Sequence, residues 1–438
     1  NPRYTRDGYG LQVDCTGYLG EILDCQLINK RWADNRLSDD IWVWSTAASG
    51  AEKCSIDRQA RLRFTPKAEA WTSGDAAAVV YTMPTGQTIK KITYNFDMQE
   101  AGQAWQLYFW DATNGTQSIA TASGTGSAQT YTLGTPVQAI LIGFTAQANQ
   151  TPTSDGTYYG EVSNLVVYSE TSAINMTEIA TDLVGMSVGG LASDISQIDT
   201  GLTYSLVPFV AEGVTKAKAL DDAAKFGVPT TFLSIAYGVK ASSIAATPAG
   251  TPVLFAEDCP ALTDYEYFIN YEDRNLYGGF DLDWTIDDLH NWIAVEYRDV
   301  NGNRVILTPD DNAALKNTAS ITTYGQRSPK APLRIDTANG TTALNYGQRY
   351  LLAHKDPRWR VVGPITVTGY INGKNTRIPA AEIQAGKRLK IGNYIDDGSG
   401  TWLTFLVAQT DYDATDDTCR ISLGAVDSLD VFLAQIGR

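Results

Sequence analysis

Between about residue 46 and residue 170 the chain repeats one pattern, a short run of alternating apolar and polar residues closed by a turn. The runs are Ala77–Thr82, Ile89–Phe96, Gln103–Trp110, Thr130–Leu133, Ala139–Phe144 and Val162–Tyr168. Pro84-Thr85-Gly86, Asn114-Gly115 and Asp155-Gly156 supply turn residues between them. Successive side chains of a strand point to opposite faces, so Ile140, Ile142 and Phe144 share one side, as do Trp105, Leu107 and Phe109. The intervening Thr, Ser, Gly and Ala suit strands and tight reversals rather than helices. Strands at this spacing predict an antiparallel sandwich.

The flanks have a different texture. In the first block, Asn1–Ser45, Leu11–Val13 reads as a strand, Thr16–Asp24 as a turn or short helix, and Ser38 as an N-cap with Ile41 following. After Glu170, Asn175-Met-Thr-Glu178 has the form of a capping box, and Ile179, Leu183 and Val184 continue it as a helical apolar stripe. A second helix is predicted over Thr215–Phe226, stopped by Gly227, and a third near Thr342–His354. Asn301-Gly302 between two apolar runs predicts a hairpin. From about Pro364 strands return, ending in an amphipathic helix over Asp427–Ile436. The expected organisation is four segments, 1–45, 46–170, 171–363 and 364–438, in a mainly β fold with a few short helices. At 438 residues, more than one core is required.

A net charge of −15 argues against a broad nucleic-acid surface, since like charge repels phosphate backbones. Arg358, Arg360, Lys374, Arg377, Lys387, Arg388 and Lys390 make one stretch locally basic, and are expected to form a solvated strand face. No run approaches the roughly 18 apolar residues that cross a bilayer as a helix, so no membrane span is expected. Five cysteines without a C-x-x-C pair do not form a disulfide framework; Cys15 and Cys25 could meet across a hairpin, although buried thiols are the plainer expectation. The first residue is Asn1 rather than Met, as expected of a processed or partial chain.

The motifs that could carry chemistry are incomplete. Gly278-Gly-Phe-Asp281-Leu-Asp283-Trp284-Thr285 is similar to the D-G-x-D-x-D-x-E string of chitinase-type glycosidases. Gly278 replaces its first Asp and Thr285 its terminal Glu, so nothing protonates a leaving group. The expectation is a strand with Phe280 and Leu282 facing a core. His290 and His354 are the only histidines, and no serine sits in a G-x-S-x-G turn. Acidic pairs recur, including Asp310-Asp311, Asp396-Asp397 and Asp416-Asp417, without EF-hand spacing; Asp75, Asp97 and Asp155 are the residues a sandwich ion would use, but no metal or other cofactor is expected. Sugars stack their C–H faces on exposed aromatic rings. Tyr108 and Trp110 lie opposite Trp105, Leu107 and Phe109 on one strand, and are either a second buried layer or such a platform. Trp71, Tyr158 and Tyr159, near turns, are the other carbohydrate-contact candidates.

Two resemblances add to this reading. Residues 46–170 resemble the jelly-roll sandwiches of carbohydrate-binding modules and lectin-like domains. The last third, through Ile383–Ile391, Trp402–Val407, Asp411-Tyr412-Asp413, Arg420–Leu423 and the closing Asp427–Ile436, resembles the terminal β-domain of phage tail hub (minor tail, tail-tip or baseplate hub) proteins. Asp14–Asp24 and Thr177–Val184 resemble two further pieces of that family, which makes the sandwich an insertion between them. The resemblance implies tail-hub β-domains assembled as a homotrimer in the virion. It implies contact with tail tube or distal tail proteins and the tape-measure protein, no catalysis, and an outward sandwich for a host surface glycan. An injection-system hub would use the same physics. The alternative is a secreted carbohydrate-active or carbohydrate-binding protein.

Overall fold

A computed structural model describes residues 2–4, 11–13, 27–37, 39, 41–44, 49–100, 104–152, 157–186, 191–228, 235–241, 251–259, 264–271, 280–393 and 402–424. Cys15 and Cys25, the Thr16–Asp24 turn, the Ser38 cap, Asp155-Gly156, Gly278-Gly279, Asp396-Asp397 and the Asp427–Ile436 helix lie outside the described residues. The fold is mainly β, with several sheets and a few short helices.

Two antiparallel sheets face each other over the central segment. One runs in the order Gly115–Ala120, Trp105–Asp111, Ala139–Ala146, Ala76–Thr82, Trp42–Trp44. The other runs Gly124–Val137, Ile89–Gln99, Tyr159–Tyr168, Leu27–Asp34, Phe209–Thr215, with Leu62–Pro66 and Cys54–Asp57 attached to its side. The alternation read from the sequence fills the space between them: Trp105, Leu107, Phe109, Ile140, Ile142 and Phe144 are all buried. Trp105 stacks on Phe144 at 4.7 Å between ring centroids and meets Trp71 edge-on at 5.0 Å. Such pairs add roughly 0.5–1.5 kcal/mol each beyond the area they bury. Thr130–Leu133 proves to be part of a longer edge strand, Gly124–Val137, whose register breaks twice. Its Gly, Ser and Thr residues carry no alternation that would reveal it. Asn114-Gly115 does reverse the chain: Gly115 pairs with Asp111 at φ +72, and the Asp111 carboxylate accepts from the backbone N–H groups of Thr113 and Asn114.

The second sheet continues beyond the sandwich. Leu27–Asp34 and Phe209–Thr215 pair with each other at its far side, and Ile28, Trp32 and Ala33 belong to a second core. That core contains residues of helices α1 (Met176–Gly185), α2 (Lys216–Ala224) and α4 (Gly340–His354). Asn175, Thr215 and Asn339 cap these three with side-chain oxygens, each accepting a backbone N–H that the first turn leaves open. A short α3 spans Thr318–Tyr324. At the seam the fully buried Asp34 carboxylate accepts from Arg36 and from the Tyr81 hydroxyl at 2.9 Å. Arg31 turns to Glu212 at 2.5 Å, and Lys30 bridges Glu170 and Asp182. The predicted hairpin pairs Val295–Arg298 with Arg304–Leu307. Its loop is five residues rather than a two-residue reversal, because the Asp299 carboxylate gathers the N–H groups of Asn301 and Asn303.

A third core sits under a sheet ordered Ile365–Thr368, Thr418–Gly424, Trp402–Asp413, Arg388–Gly392, Tyr267–Asn270, Tyr370–Gly373, Arg377–Pro379. Tyr267–Asn270, drawn from well before residue 364, runs parallel to Arg388–Gly392 inside it. Asp281–Thr285 pairs with Arg358–Val362 in a two-stranded ribbon, with Phe280 buried beside it as expected.

Candidate functional site

The outward side of the first sheet is ordered by register. Because Trp105, Leu107 and Phe109 point inward, Gln106, Tyr108 and Trp110 must point outward. Pairing carries each across the sheet. Trp110 stands level with Thr116, Leu141, Val80 and Val43, one row crossing every strand. Tyr108 is level with Ser118, Gly143 and Ala78. Gln106 is level with Thr145 and Ala76. None of these side chains carries an ionised group at neutral pH.

Gly143 decides how Tyr108 lies. A Cβ at 143 would sit 2.4 Å from the Tyr108 Cζ, so the ring crosses the neighbouring strand over bare backbone. Glycine inside a strand marks this kind of close approach. Burial raises the Tyr108 phenol above its usual pKa. Trp110, two residues along, is 40% exposed. At the polar end the Gln147 amide donates to Gln106 Oε1 at 3.2 Å. The result is a patch with an aromatic pair, an apolar row on one side and amides on the other. Flat hydroxylated rings with C–H faces fit such a patch.

The structure brings together only Tyr108 and Trp110 among the five aromatic candidates. Trp71 (1% exposed) and Tyr158 (4% exposed) are buried side chains, which corrects their assignment as contact residues. Trp71 is held there by paired backbone bonds with Gln150 and by its edge contact with Trp105, closing one end of the sandwich core. Tyr159 faces outward from the opposite sheet, but the Arg63 guanidinium covers its ring at 3.7 Å and its hydroxyl donates to Asp97 at 2.8 Å. Val43, Val80 and Leu141 were not signalled by sequence as surface residues, since apolar residues in strands read as core. Gly143 was the one legible hint.

The remaining constellations are occupied by structural bonds. Asp283 pairs with Arg360 at 2.7 Å. His290 meets the Tyr350 hydroxyl at 2.9 Å, and His354 stacks on the same ring at 4.0 Å. Lys53, Thr72 and Ser49 hold the Asp75 carboxylate well below the usual range, Lys53 contributing most. Among the described residues no group of three or more His, Cys, Asp or Glu could hold a metal ion. The basic stretch is dispersed: Lys374 pairs with Asp264, Lys387 with Glu257, and Arg388 is fully buried. Cys54, Cys259 and Cys419 are buried free thiols, and burial pushes Cys54 up to about 12. No helix of the described residues is long and apolar enough to cross a membrane. A pocket of ≈ 660 Å³ lies at the seam, among Leu37, Phe209, Val214, Lys225, Phe226 and Arg298.

No family model and no curated protein matches the chain. Solved structures do. One is the carbohydrate-binding module TmCBM61 in complex with β-1,4-galactotriose, at 10% identity over 32% of this chain and 99% of that one, with a TM-score of 0.22. The family 11 carbohydrate-binding module from Clostridium thermocellum, in complex with a β-1,3-1,4-mixed-linked tetrasaccharide, is similar at 12% identity over 33% and 91%, with a TM-score of 0.18. The enzymatically active domain of tailspike protein 4 of bacteriophage CBA120 is similar at 10% identity over 32% of this chain and 21% of that one, with a TM-score of 0.20.

Proposed function

We propose that this protein binds a surface glycan through the outward face of its first sandwich sheet and acts as a structural, non-catalytic part of a phage tail tip. The observation that carries the glycan reading is the Tyr108 ring lying over Gly143 beside the exposed Trp110, on a face without charge. A stacking platform needs a ring supported from below beside one that is exposed: Gly143 lets the Tyr108 ring lie on the backbone, and Trp110 is the exposed neighbour. The non-catalytic reading is supported by the engagement of the acids: Asp283 is tied to Arg360 and Asp75 to Lys53.

The tail-tip reading is supported by the resemblance of the terminal segment to hub domains, and by the way the strand Leu27–Asp34 and the helices after residue 175 share one core distinct from that of the sandwich. In this reading the chain forms a homotrimer that closes or extends the tail tube, touches tube and tape-measure proteins, and turns the sandwich outward in the virion. A secreted carbohydrate-binding protein is the alternative and uses the same face. Binding is tested by titrating immobilised and soluble glycans against the wild type and Trp110→Ala. Binding lost with the melting temperature unchanged supports the platform, and binding that survives the substitution removes it. Light scattering after size exclusion and imaging of the source particle test the trimer and its place; a monomer absent from any tail rejects the tail-tip half alone.

A further inference from the structure

We infer that the face selects neutral glycans bearing methyl groups, either the methyl of a 6-deoxy sugar or that of an acetyl substituent. This rests on the glycan reading of the same face. The register makes the patch asymmetric. Trp110, Leu141, Val80 and Val43 stand in one row at right angles to the strands. Three inter-strand steps make that row about 14 Å long. Leu141 and Val80 are half-buried, and Val43 is 59% exposed. Tyr108 and then Gln106 follow at two-residue steps on one strand, each about 7 Å further along. A sugar stacked on the two rings therefore has one edge over amide groups and the other over aliphatic carbon.

The aliphatic edge cannot return the hydrogen bonds that a sugar hydroxyl gives up when it leaves water. A methyl laid on Leu141 or Val80 loses nothing and removes apolar surface from water. Each methyl so seated is worth about a four-fold gain in affinity. An acidic glycan finds no cation on these rows, in a chain of net charge −15.

The test compares one polymer with itself. An O-acetylated glucomannan is assayed by affinity electrophoresis before and after alkaline deacetylation, with a D-rhamnan and an unsubstituted D-mannan of the same linkage as the deoxy and hydroxyl pair. The full chain is used throughout. Tighter binding of the acetylated form, of the rhamnan, or of both, by about four-fold or more supports the inference and identifies which methyl is read. Leu141→Thr combined with Val80→Thr should erase that ratio, and a ratio that survives in the folded double variant, checked by its melting curve, overturns the assignment of the methyl to this row. Equal binding of both members of each pair overturns methyl selection and leaves the platform standing. A preference for polygalacturonate, added as the acidic arm, overturns it too. Absence of binding to every polymer overturns the glycan reading itself, and methyl selection with it.

Discussion

The two outward faces of the sandwich use the same residue types to opposite ends. On the first sheet Tyr108 crosses over Gly143, with Trp110 and aliphatic residues for company. On the second, Tyr159 lies under Arg63, in a neighbourhood of Arg61, Glu161 and Asp97. An aromatic side chain near the surface is thus a platform or a piece of scaffold according to which residue of a neighbouring strand lies beneath or over it. Glycine frees the outer face of a ring, and arginine consumes it.

The largest effect separates the inside of a strand from its outside. Trp105→Ala removes a fully buried ring that contacts Phe144 and Trp71, and should cost about 3–5 kcal/mol, read by urea unfolding. Trp110→Ala, five residues on, should cost within about 0.5 kcal/mol and be seen only in glycan binding. Equal stability losses at the two positions would make Trp110 a core residue and erase the distinction between faces.

Next comes the glycine itself. Gly143→Val places carbon where the Tyr108 ring end lies, so the ring must stand up or the strands must part. Overpacking of this kind costs about 1–3 kcal/mol, and binding should fall with it. Gly143→Val combined with Tyr108→Ala removes the collision. It should recover stability without recovering binding, and failure to recover stability would place the strain elsewhere than in the ring.

Period-two alternation makes a sandwich legible because the inner layer must be apolar on every second residue. Trp105–Phe109 and Ile140–Phe144 were readable for that reason. Asn175 and the helix after it were equally plain, since a cap must precede an apolar stripe. Three things were hidden. The edge strand Gly124–Val137 has little buried face to write an alternation. The parallel placement of Tyr267–Asn270 beside Arg388–Gly392 joins residues far apart in sequence, and no local pattern records it. Trp71 read as surface because it stands outside any strand, yet it closes the end of the core. For the site, sequence supplied the aromatic pair, while the row from Trp110 to Val43 needed the register of four strands.

Acid should distinguish carboxylates at the two sheets by sign. Asp75, just ahead of the first sheet, has its pKa lowered, chiefly by Lys53. Its stabilisation is present above the unfolded carboxylate value of about 3.9 and is lost as pH falls from there through the folded value. Glu161, on the second sheet, is raised by burial, which outweighs Arg61 and Arg63. Its ionised form opposes folding, so protonation as pH falls through its folded value adds stability. In melting curves from pH 6 to 2, Asp75→Asn should flatten the acid limb, and Glu161→Gln should raise stability most at the upper end of that range. A steeper acid limb in Asp75→Asn would reverse the sign assigned to Lys53.

The smallest expected effect is the most direct attempt to turn one face into the other. Arg63→Ala uncovers the Tyr159 ring and forfeits a cation–π contact at 3.7 Å, worth about 0.5–1 kcal/mol at an exposed site. The Tyr159 hydroxyl keeps its bond to Asp97, so the ring stays in place. If an open ring were enough, this variant with Trp110→Ala added would regain some glycan binding. The expectation is that it does not, because Tyr159 lacks both an aromatic neighbour two residues along its strand, where Glu161 stands, and an uncharged surround. Recovery of binding in the double variant would show that ring exposure alone makes the site, and that the aliphatic row beside Trp110 contributes nothing to it.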